Sequence, residues 1–136
     1  MKRVFILLFV TCLSLCASSQ VKISRKTLKV TDLGNQRLEM AYSGQDTSFC
    51  IFLKTTNRFQ KYVKMTLGDK KEALKLLIFI RDSDCKKGDV LILDNADKNK
   101  LVYTMGNFVV YGLGGVLHGN LRQANIKTFI DILSKL

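Results

Sequence analysis

The chain reads as an α+β protein, a largely antiparallel sheet with one helix inserted mid-chain at about 69–81 and a second at the C-terminal end at about 126–135. Three observations predict this. Short segments in which apolar and polar residues alternate recur between clusters of turn residues, the mark of half-buried strands. After Gly68-Asp69 the apolar spacing changes from two to that of a helix, and it changes again behind Asn125. No repeat, low-complexity tract or linker-like shift in composition interrupts residues 20–136, so the strands and helices belong to one domain.

Val21 and Ile23 alternate in one phase and Leu28 and Val30 in another, so residues 21–31 read as a bulged strand or two short ones. Leu33-Gly34-Asn35 is a turn. Leu38, Met40 and Tyr42 then alternate with Glu39 and Ala41, and Ser43-Gly44-Gln45-Asp46 closes that strand. Phe49 to Leu53 is apolar on both faces, as a central strand would be. Val63, Met65 and Leu67 alternate with Tyr62, Lys64 and Thr66 to give one dry face and one wet face.

Asp69 is placed to cap the inserted helix, with Glu72 three residues on completing a capping box. Ala73, Leu74, Leu76, Leu77, Ile78, Phe79 and Ile80 cover more than one stripe, so most of this helix is expected to be buried. Asp89 to Leu93 is a further apolar strand and Asp94 to Asn99 a polar turn. Leu101 to Met105 and Phe108 to Tyr111 form a hairpin around Gly106-Asn107, with a second, shorter hairpin turning at Gly119-Asn120. Ile126, Phe129, Ile130, Leu133 and Leu136 fall at helical spacing behind Asn125 as cap.

Residues 1–19 have the layout of a signal peptide. Lys2 and Arg3 precede a short apolar run, Val4 to Val10 with Leu13 and Leu15, and Ala17-Ser18-Ser19 supplies small residues ahead of a cut before Gln20. The apolar run is too short for a bilayer span. The expected product is exported, periplasmic or extracellular, and the leader is bacterial in style. The alternative is a lipid anchor at Cys16, against which the bulky Leu15 counts.

With residues 1–19 removed, the 22 Lys and Arg fall to 20 through loss of Lys2 and Arg3, against 11 acids, a net charge of +9. A basic exported domain favours acidic surfaces: an acidic protein, a glycan or another polyanion at the cell envelope, with weak association to a membrane surface. Cys50 and Cys85 are the cysteines left, one in an apolar run and one in a polar loop, and these unlike surroundings argue against a disulfide between them. The lack of tryptophan removes the usual aromatic platform for sugars.

Catalytic and metal motifs are weak. Cys50 or Cys85 with His118 makes a nominal dyad, but neither cysteine has a family-specific flank, and two distant cysteines with one histidine do not make a zinc centre. Gly112-Leu113-Gly114-Gly115 lacks the residues that would make it a phosphate loop and reads instead as a bulge or a close sheet crossing. Asp94-Asn95-Ala96-Asp97-Lys98-Asn99 has calcium-loop oxygens but Ala96 at a ligand position, so it reads as a solvated turn. No catalytic residue, metal site or cofactor is therefore assigned.

The segment with binding character is Lys54 to Lys64. Lys54, Arg58, Lys61 and Lys64 carry no acid among them and interleave with Phe59 and Tyr62, so cations can meet anionic groups while rings stack. The competing account is a solvated strand edge with Phe59 anchoring the loop into the core. The function this supports is a small exported, non-enzymatic binding or accessory domain with a basic face for an acidic partner; the alternative is a hydrolase-type enzyme whose site forms only in three dimensions.

Overall fold

A computed structural model of the chain describes residues 26–136. The signal peptide at 1–19, the start of the first strand at 21–25 and the Cys16 anchor lie outside the described residues. Within them the chain makes four strands and a helix, and then makes the same order again. Strands β1 (Lys26–Asp32), β2 (Gln36–Ser43), β3 (Asp46–Lys54) and β4 (Tyr62–Gly68) are followed by helix α1 (Lys70–Arg81). Strands β5 (Val90–Ile92), β6 (Lys100–Thr104), β7 (Asn107–Tyr111) and β8 (His118–Arg122) are followed by helix α2 (Gln123–Lys135). The fold is α+β, with two antiparallel sheets, β1-β2-β3-β4 and β5-β6-β7-β8, each ordered as in the chain.

The alternation read from sequence sets the register. Leu38 pairs with Ile51 and Ile51 with Met65, which puts these apolar side chains on one face of the first sheet. Phe108 pairs with Leu121 and Leu101 with Val110 on the inner face of the second. The two faces and the helices share one core, in which Phe49, Leu77, Phe108, Phe129 and Leu133 are among the buried side chains. α1 and α2 pack against each other, and β8 packs against β3 and β4. The expected bulge in β1 is present as a shift of register between Lys29 and Thr31.

The helix that follows Gly68 begins as expected: Asp69 is the N-cap, and its carboxylate accepts the Glu72 amide at 2.8 Å. Its burial is narrower than the composition suggests. Ala73, Leu77 and Ile80 are buried, whereas Ile78 and Phe79 face outward, because a single helix stripe meets the core. At the other end α2 starts at Gln123 rather than near 126, with Arg122 in the cap position and no side-chain cap bond. Asn125 is therefore inside the helix and caps nothing. The chain enters α2 directly from β8, and the Gln123 amide donates to the Gly106 carbonyl at 3.1 Å.

Two glycine assignments also change. Gly119 and Asn120 lie inside β8, paired with Val110 and Val109, so they turn no hairpin. The turn is at 112–117, closed by the Gly112 amide on the Leu117 carbonyl at 2.9 Å, with Gly114 and Gly115 at positive φ. The close crossing belongs to Gly119, since a methyl group there would come within 2.6 Å of the Leu53 Cβ. Glycine at this position lets β8 of the second sheet lie on β3 of the first.

The polar turn at 94–99 is not left to water. β4 is an edge strand, and its outward-facing Lys64 carbonyl, Thr66 amide and Thr66 carbonyl need partners. Asn99, fully buried, donates to the Lys64 carbonyl at 3.2 Å and to the Tyr111 carbonyl at 3.1 Å. Asp97 accepts the Thr66 amide at 2.8 Å as well as its hydroxyl, and Asn95 donates to the Thr66 carbonyl at 3.1 Å. Asn95 also donates to Asn99 Oδ1 at 2.7 Å. The turn between β5 and β6 thus supplies partners to the open edge of the first sheet.

Candidate functional site

The basic run Lys54 to Lys64 spans the end of β3, the loop at 55–61 and the first half of β4. The loop is ordered by its own polar side chains. Asn57 Oδ1 accepts the Phe59 amide at 2.8 Å and the Gln60 amide at 3.1 Å, the Thr55 amide donates to the Lys61 carbonyl at 2.7 Å, and the Thr55 hydroxyl donates to the Gln60 carbonyl. Phe59 is held at the tip and is 97% exposed, so it does not anchor the loop into the core. Arg58 and Lys61 flank it, both exposed.

The other predicted residues divide. Tyr62 is half-buried on the outer face of β4, where it meets Phe52 edge-on with ring centroids 6.4 Å apart. The Arg37 guanidinium lies 4.7 Å from the Tyr62 ring centroid and 5.3 Å from that of Phe52, and it pairs with Glu39 at 2.9 Å. Tyr62 therefore has a cation over its face, and the free ring is Phe59. Lys64 sits on the same outer face, opposite Phe52. Lys54 turns to a different neighbourhood, a cleft of about 390 Å³ that it lines together with Arg122.

That cleft was not legible as a site. It forms where the β1–β2 turn meets the second sheet, and Leu33, Gly34, Asn35, Gln36, Asn107 and Asn120 complete it. The turn is set by the Leu33 amide on the Gln36 carbonyl and the Lys54 amide on the Asn35 carbonyl, both at 2.8 Å. Two cations and four side-chain amides line it, with no carboxylate. Gln36 is 3% exposed, and among the described residues its Oε1 finds no hydrogen-bond partner. The N-terminus of α2, immediately after Arg122, adds its positive dipole end.

One pattern in the sequence does point to this arrangement. All 11 acids lie outside residues 47–68 and 98–130. These two stretches hold β3 from its second residue, the 55–61 loop and β4, and β6, β7, β8 and the start of α2. Gly112 lies beside Val63 and Gly119 against Leu53, so the 55–61 and 112–117 loops leave the same end of the molecule. The end they share carries the cations Arg58 and Lys61 and no acid in either loop, and is the basic end of the molecule.

A second cleft of about 470 Å³ lies between α1 and the 94–99 turn and brings Glu72 and Asp94 together with Lys98. Asp94 is 99% exposed and pairs with Lys98 at 3.0 Å. Cys50 and Cys85 are both free thiols and both half-buried. Cys50 lies on the outer face of β3 with its Sγ 3.9 Å from the Thr66 hydroxyl, and burial raises its pKa above the ordinary thiol value despite the opposing pull of Lys64. Cys85 is 3.2 Å from the Ser83 hydroxyl. His118, exposed at the start of β8, stacks at a tilt on Tyr111 with ring centroids 5.6 Å apart. Among the described residues no group of three or more His, Cys, Asp or Glu is placed to hold a metal ion.

In comparisons with known proteins the chain matches no protein-family model, no curated protein and no solved structure.

Proposed function

We propose that this protein is an exported, non-enzymatic binding or accessory domain that meets an acidic partner at the cell envelope through its basic end. The observation that supports the reading is the exposure of Arg58 and Lys61 on an ordered loop that shares one end of the fold with the acid-free 112–117 loop. Arg58 and Lys61 are exposed on an ordered loop and make no ion pair among the described residues, so they can meet an anionic surface without first breaking one there. The Lys54–Arg122 cleft offers two further cations to an anionic group and the Gln36 acceptor to a donor on the same partner.

The test uses heparin and polyglutamate as defined polyanions. Arg58→Glu with Lys61→Glu should weaken binding strongly, while Lys71→Glu with Lys75→Glu, on the exposed face of α1, should leave most of it. Equal loss in both double variants would reduce the attraction to a diffuse field, and no loss in either would overturn the reading. A hydrolase-type enzyme would instead depend on Glu72 and Asp94, and Glu72→Gln with Asp94→Asn would then remove biological activity.

A further inference from the structure

Three large apolar side chains stand in water at the basic end of the molecule. Phe59 is 97% exposed on the 55–61 loop, and Leu113 and Val116 are 79% and 82% exposed on the neighbouring 112–117 loop. We propose that this end docks on an anionic lipid bilayer, with Phe59, Leu113 and Val116 entering the headgroup boundary while Arg58 and Lys61 meet lipid phosphates. The inference rests on the basic-face reading and names its partner.

The chemistry separates lipid from the other acidic partners. Single-stranded nucleic acid is held by successive rings on which bases stack. Here Tyr62 already carries the Arg37 guanidinium, and the other two tips are aliphatic and stack on nothing. Aliphatic and aromatic tips beside cations are what an anionic bilayer interface accepts, because apolar groups leave water while the cations stay at the phosphates. Neither loop carries an acid that the headgroups would repel. Asn57 and Thr55 hold the loop that presents Phe59, so little ordering remains to be done on docking. Among the described residues no helix is long and apolar enough to cross a membrane, and the contact proposed is with the surface alone.

The chain contains no tryptophan, so Phe59→Trp places a single reporter at the tip. The protein, purified in its exported form, is mixed with vesicles of phosphatidylcholine alone and with vesicles that also contain phosphatidylglycerol. With phosphatidylglycerol present, the Phe59→Trp emission should shift to the blue and be quenched by brominated acyl chains. Phosphatidylcholine alone should produce neither effect. Phe59→Ser should weaken the vesicle partition coefficient by about tenfold or more, and Arg58→Glu with Lys61→Glu by a larger factor, since each cation at the surface is worth about fivefold. A reporter that stays in water on anionic vesicles, or a Phe59→Ser protein that binds them as the parent does, would overturn the proposal. Salt-sensitive binding to heparin without vesicle binding would sink the lipid partner and leave the basic-face reading standing. Failure to bind either would sink both.

Discussion

Asn99 offers the sharpest test of how the two sheets are joined. It is fully buried, and its side chain satisfies the Lys64 carbonyl on β4 and the Tyr111 carbonyl on β7 while accepting from Asn95. Asn99→Ala leaves two carbonyls and one amide without these partners. Each buried polar group left unpaired costs about 1–3 kcal/mol, and some recover contact with water or neighbours, so the expected loss is about 3 kcal/mol. In a urea titration, with a slope of about 2 kcal/mol per molar, the midpoint should fall by about 1.5 M. Asn99→Asp keeps the shape but turns the donor into an acceptor facing two carbonyls. It should be at least as damaging at neutral pH. Burial would hold that carboxyl above its unfolded pKa, so the damage is present above the folded value and shrinks as pH falls through it, when the proton restores a donor. An Asn99→Ala midpoint indistinguishable from the parent would refute the edge-closing role of this turn.

Gly119→Ala should destabilise the protein by about 1–3 kcal/mol in the same titration, because the added methyl would sit 2.6 Å from the Leu53 Cβ; a silent substitution would mean that β8 and β3 do not cross so closely. Asp69→Ala removes the cap on the Glu72 amide and should cost about 0.5–2 kcal/mol. Leu77→Ala, in the buried stripe of α1, should cost about 2–5 kcal/mol, while Phe79→Ala on the outer face should cost far less, as thermal unfolding of the pair would show. Cys50, whose pKa burial raises, carries less thiolate at mildly alkaline pH than it does in the unfolded chain, so iodoacetamide should alkylate it more slowly in the native protein. Equal rates with and without urea would contradict that environment.

Strand positions were legible where alternation reports which residues face the core, as in β4, whereas β3 read as apolar on both faces and buries Phe49, Ile51 and Leu53 while Cys50 and Phe52 are only half-buried on its outer face. Alternation is silent about which strands share a sheet, so the division into two sheets emerged only from the pairing. The same limit explains the glycines. Gly112, Gly115 and Gly119 look alike in the chain, and the approach of Leu53 from another sheet decides that Gly119 is the crossing. Ile78 and Phe79 read as core because hydrophobicity does not say how wide a stripe the neighbours will cover. Asn99 read as solvated because a run of Asp and Asn next to a strand is ordinarily a turn, and its burial depends on β4 needing edge partners from far along the chain. Of the site, the cations of 54–64 were visible as a linear run. Arg122 and Gln36 were not, since folding alone brings them beside Lys54.

The central claim is that the basic end is a binding surface, and the salt dependence of heparin binding tests it most directly. Log affinity should fall steeply with log salt, because each anionic group neutralised releases condensed counterions. Reversing Arg58 and Lys61 to Glu should weaken binding and flatten that slope by about 2, the number of cations removed. Reversing Lys71 and Lys75 should leave the slope nearly unchanged. A parent whose affinity is insensitive to salt, or a slope flattened equally by both reversals, would contradict the account.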